Sequence, residues 1–138
     1  MAFATRTLRD TIVDQAGAGG TVTVLVNISD DTTTTNAILD ASALDGHANG
    51  AKLHIKRIWW GLVQGTANDA TGHVQIIEQG DSDVILIDLA GSGHYDGSAG
   101  LIESSATNAG ATSGDMELSC LGTSGFVLIE FKKDENYA

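Results

Sequence analysis

Four histidines, one cysteine and eighteen carboxylates are the residues of this 138-residue chain that could hold a metal or move a proton. Their spacing offers little. His47, His54, His73 and His94 show no His-x-His, His-x3-His or Glu-x-x-His relation, the spacings that set two ligands on one face. His54 falls between Lys52 and Lys56 on one side of a strand pattern, where a cation would be repelled. Asp30-Asp31 and Asp81-x-Asp83 put hard oxygens on turns, which suits calcium. Neither carries the full EF-hand or Gly/Asp nonapeptide pattern. They read as solvated turn carboxylates, with a bound calcium as the alternative, and no cofactor is expected.

Nucleophilic chemistry fares no better. Cys120 is the sole cysteine, so no disulfide can form within the chain, and it reads as a small buried hydrophobe in the strand Glu117–Leu121. Ser92-Gly93 and Ser113-Gly114 are turn composition, and no Gly-x-Ser-x-Gly elbow occurs. Gly17-x-Gly19-Gly20 precedes a strand, whereas a dinucleotide fingerprint follows one. A pair of catalytic carboxylates drawn from distant strands stays open on spacing alone. With aromatic residues at 5%, however, the chain has little surface for stacking a sugar. No enzyme is expected. Trp59-Trp60 is the remaining candidate: both indoles lie in a core, or one anchors an interface.

Charge is the second informative feature. The net charge is −11, yet all seven basic residues lie in three places: Arg6 and Arg9, then Lys52, Lys56 and Arg57, then Lys132 and Lys133. Between Ile58 and Phe131 there are ten carboxylates and no Lys or Arg. Such a surface repels phosphate, so sequence-independent binding of nucleic acid is not expected. Solubility explains the acidity; the basic residues can also mark where an acidic neighbour docks. No apolar run reaches the 18 or more residues of a membrane span, and Met1–Asp10 lacks the apolar centre of a secretory leader.

The elements that would position these residues are strands. Proline is absent, so turning falls to Gly, Asn and Asp. Residues 1–20 read as an N-terminal arm with a Gly-rich joint, and 21–138 as one domain. Thr21–Ile28 is a strand rich in β-branched residues. Ala37–Leu44, with Asn36 as cap and Gly46 as stop, is the one plausible helix. Lys52–Val63 is the longest strand, and its alternation breaks after Arg57, as at a β-bulge, a switch between sheets, or a second half buried on both faces. Taken in phase with the lysines, Trp60 joins Lys52 and Lys56 on the outward side. His73–Gln79 and Asp83–Leu89 suggest a hairpin whose second strand is central. Asp115–Leu121 and Gly125–Phe131 suggest another hairpin. The expected fold is all-β: a two-sheet β-sandwich or jelly roll of seven to nine short antiparallel strands, with at most one short helix.

Several segments together resemble small structural proteins of tailed bacteriophages, especially those of marine bacteria. They are Thr5–Asp10, the Asp30–Thr35 turn, Asp40–His47, Asn49–Trp59 and Gly91–Asp96, spread over about two thirds of the chain. The resemblance implies a virion component, a head-decoration (cement) protein on the outer surface of the major capsid protein lattice. It implies a homo-oligomer, a trimer before a dimer, made in the host cytoplasm. On this reading Arg6, Arg9, Lys52, Lys56, Arg57 and Trp60 carry the capsid contact. The alternative is a carbohydrate- or receptor-binding sandwich of a phage tail or fibre.

Overall fold

Val22, Val24 and Val26 alternate with Thr21, Thr23 and Leu25, and the three valines are fully buried. That period of two is what a strand with one face on a core requires. The computed structural model describes residues 2–10, 20–32, 36–39, 53–66, 72–79, 83–102 and 115–133. Within them the chain forms nine strands: β1 (Ala2–Asp10), β2 (Thr21–Asp31), β3 (Asn36–Leu39), β4 (Leu53–Gln64), β5 (His73–Glu78), β6 (Val84–Ala90), β7 (Ser92–Tyr95), β8 (Met116–Leu121) and β9 (Thr123–Lys133).

They make two antiparallel sheets, one ordered β1-β2-β9-β4-β7 and the other β3-β8-β5-β6. Between the sheets lies one apolar core. The first sheet supplies Val22, Val24, Val26, Ile55, Ile58, Val127, Ile129 and Phe131; the second supplies Ile38, Val74, Ile76, Leu89, Met116, Leu118 and Cys120. The fold is an all-β sandwich.

Strand β4 carries the phase change seen in its sequence. Ile55 pairs with Phe131 and Arg57 with Glu130, so Lys56 is an extra residue, a β-bulge. Beyond the bulge Ile58, Trp60 and Leu62 turn inward, as Leu53 and Ile55 do before it.

Three expectations are corrected. Asn36–Leu39 is strand β3, not the opening of a helix; Asn36 pairs with Leu118, and its side chain binds Asp31 rather than capping a turn. The rest of that proposed helix lies outside the described residues. Residues 2–10 of the expected arm form strand β1, which pairs with β2 from Ala2 opposite Ser29 to Asp10 opposite Val22. Strands β8 and β9 do not form a hairpin. Gly122, at φ +75, carries the chain from one sheet to the other, where Gly65 N–H bonds its carbonyl.

Among the described residues strand β6, which reads as central, stands at an edge of its sheet and pairs with β5 alone. The turn-rich stretch after Ala90 also contains a strand, β7. It bonds Ile58–Gly61 of β4 although Ser-Gly-His-Tyr has no apolar alternation.

Candidate functional site

The inward turn of alternate residues along β2, β4 and β9 leaves their other side chains on the outer face of the five-stranded sheet. Register aligns them in rows. One row crosses all five strands: Arg6, Leu25, Leu128, Trp59 and His94. The next row holds Ala4, Asn27, Phe126, Gly61 and Ser92. On the other side Thr23, Glu130 and Arg57 form a third row, with Arg9 opposite Thr23 at its end, followed by Thr21, Lys132 and His54.

The middle of this face is apolar. Leu25, Leu128 and Trp59 are half-buried, while Phe126 and Val63 are 40% and 63% exposed. A sheet face with Trp59 and Phe126 in its middle and cations at the end and along one side has the composition of a protein interface core and rim.

The rim is positive. Lys56 Nζ lies 3.4 Å and Arg57 Nε 3.9 Å from Glu130 Oε1, so one carboxylate serves two cations. All three side chains reach solvent, so these pairs add little to stability. Their consequence is electrostatic: a local excess of one positive charge, joined by exposed Arg6 and half-buried Lys132. Of the seven basic residues, the six in described segments (Arg6, Arg9, Lys56, Arg57, Lys132 and Lys133) all lie on this sheet. The four-stranded sheet has none, and carries Glu78, Asp88 and Glu117. In a chain of net charge −11 the two sheets are thus electrically distinct.

The structure brings Arg6, Lys56 and Arg57 to one face, and puts Arg9 on the same sheet's edge strand. Lys52 lies outside the described residues. Trp60 goes elsewhere: it packs against the core, its ring over Gly93, and its Nε1 donates to Ala90 O at 2.9 Å. The bulge at Lys56 is the reason, since it reverses which residues of β4 face outward. Trp59, not Trp60, shares the outer face with Arg57. Carrying the phase break through to the tryptophans would have found it in the sequence. Phe126 and Leu128 were missed because Phe126–Phe131 reads as an unbroken core strand.

The other chemistry-bearing residues have structural partners. Asp30, at φ +50, accepts hydrogen bonds from the Thr66 backbone N–H at 2.7 Å and from the Thr66 hydroxyl. Those bonds hold its carboxyl below the usual carboxylate range. Asp31 is buried and accepts from Asn36 Nδ2 at 2.9 Å. Burial pushes the Cys120 thiol up to about 12, and the negative charge of Asp31 acts in the same direction. His73 Nδ1 lies 2.7 Å from Asp88 Oδ1. Among the described residues no three metal-ligating side chains gather, and no helix is long and apolar enough to cross a membrane.

No protein-family model, curated protein or solved structure matches the chain.

Proposed function

We propose that this chain is a non-enzymatic structural protein of a bacteriophage particle, a decoration (cement) protein that binds the outer surface of the major capsid protein lattice and stabilises the head. The observation that carries the reading is the confinement of the described Lys and Arg residues to one sheet, around the Leu25–Leu128–Trp59 row. A negatively charged protein whose described cations gather on one sheet beside an aromatic-centred face is suited to dock in one orientation on an acidic protein surface. The rest of its charge keeps copies soluble and apart before they dock. The phage assignment rests on the sequence resemblance; the docking face rests on geometry.

Co-sedimentation with purified expanded capsids tests it. Trp59→Ala, which removes the central indole, should weaken binding by about thirtyfold, the scale of an interface hot spot. Arg57→Glu should weaken it further at low salt. Removing residues 2–10, which takes Arg6 and Arg9 with it, should abolish binding; because it also strips β2 of a pairing partner, circular dichroism must show that the sandwich stays folded. Undiminished binding by all three variants would overturn the docking face.

One observation favours a second reading. Half-exposed Trp59 and exposed Phe126 on one sheet face also suit stacking of a sugar ring, as in a receptor-binding sandwich of a tail or fibre. Binding on a glycan array that Trp59→Ala removes would favour that reading over decoration.

A further inference from the structure

The outer face of the five-stranded sheet changes character along its strands. Toward the N-terminal end of β4 its rows are basic: Thr23, Glu130 and Arg57, then Thr21, Lys132 and His54, with the bulged Lys56 beside them. Three cations stand there against the single acid Glu130. Toward the other end the rows hold Ala4, Asn27, Phe126, Gly61 and Ser92, followed by Ser29 and Val63. None of these residues is charged. Asn27, Ser29 and Ser92 are exposed, as are Phe126 and Val63. Leu25, Leu128 and Trp59 lie between the two halves.

Distance decides whether the halves act separately. Lys132 and Phe126 lie six residues apart on β9, which at about 3.4 Å per residue is roughly 20 Å. The Debye length is about 8 Å at physiological salt, so the field of the cations is largely screened before it reaches Phe126. Substitutions that far apart, with no shared partner, also add in their effects.

The same asymmetry excludes a second copy as the occupant. Two copies packed face to face are related by a two-fold axis lying between the sheets. An axis along the strands sets basic half on basic half, which repels. An axis across the strands sets the cations of each copy on Phe126 and Val63 of the other, where burial strips their water and supplies no counter-charge. Both arrangements are unfavourable.

We propose that this face is a bipartite docking site for an acidic protein other than a second copy, and that its two halves have different roles. The partner presents carboxylates over Lys56, Arg57 and Lys132, beside an uncharged, partly apolar patch over Phe126 and Val63. The basic half steers the approach and sets the association rate. The uncharged half excludes water from the contact and sets the dissociation rate. The inference rests on the docking reading above and adds to it the charge layout of the partner and the division of rates. Any homo-oligomer is then built through other surfaces.

Binding kinetics of the full chain on immobilised expanded capsids, at several salt concentrations, test the proposal. Arg57→Gln/Lys132→Gln should slow association about tenfold at low salt, flatten its salt dependence and leave dissociation within about threefold. Phe126→Ala/Val63→Thr should speed dissociation about tenfold and leave the salt dependence unchanged. All four side chains reach solvent, so urea unfolding should change little in either variant. Equal salt dependence in the two variants, or an effect of both on the same rate, would overturn the division of roles even where Trp59→Ala weakens binding. Capsid binding indifferent to Trp59→Ala and to both pairs would overturn the docking reading and this inference together. Concentration-dependent NMR shifts of Trp59 and Phe126 in the free chain, removed by Phe126→Ala/Val63→Thr, would put a second copy on the face and overturn the choice of partner.

Discussion

Phe126 lies across Gly61 on the outer face of the sandwich. The two residues are register partners on β9 and β4, and a Cβ built at Gly61 would stand 2.8 Å from Phe126 Cε1. The ring fills the space that a side chain on β4 would take, and continues the apolar row begun by Trp59. Gly61→Ala should swing the ring off the sheet, where it has room because it is already 40% exposed. Capsid binding should fall while folding stability changes by less than about 1 kcal/mol, the span of substitution effects in strands. Paired binding and urea-unfolding measurements check both halves.

Phe131 sits at the centre of the core and is fully buried, paired with Val22 on one side and Ile55 on the other. Phe131→Ala should destabilise the chain by about 3–5 kcal/mol, the usual cost of removing a large core side chain. The midpoint of urea unfolding should drop accordingly. A loss below about 1 kcal/mol would mean that the two sheets do not pack as described.

Cys120 is buried and its thiol is raised from 9.0 to about 12. At neutral pH a thiol reagent should therefore leave the folded chain unmodified and react with one thiol once urea unfolds it. The sign for stability follows. Between about 9 and about 12 the unfolded thiol loses its proton while the folded one keeps it, so stability falls as pH rises through that window. Cys120→Ala should show a shallower loss over the same range.

Asp30 is the opposite case. Its carboxyl is held below the ordinary 3.8 by the two hydrogen bonds from Thr66. A lowered value means that its contribution to stability is complete above 3.8 and is lost as pH falls through the folded value. Thr66→Ala removes the hydroxyl bond and should move the carboxyl titration upward, as read by NMR.

The sequence carried much of this architecture. Alternating valines announced β2, and the phase break after Arg57 announced the bulge in β4, because burial on one face imposes a period of two. What escaped was set by partners rather than by local pattern. β3 resembles a capped helix, since Asn36 and the alanine and leucines after it suit either state; pairing with β8 decides. β7 has no apolar signal and exists because β4 offers it main-chain bonds. The docking face was half legible: clustering of Arg6, Lys56 and Arg57 could be anticipated, but the tryptophan on that face could not without carrying the bulge one step further along β4. Phe126 was hidden because Phe126–Ile129 is apolar without a break, which gives no sign of which residues face outward.

The most direct measurement is cryo-electron microscopy of the assembled particle, with this chain traced into the density. The account predicts copies distributed over the icosahedral lattice on the outside of the shell, with Trp59, Phe126 and Arg57 turned toward the capsid protein. Density confined to the tail, or copies on the shell with that sheet face turned to solvent, would contradict it.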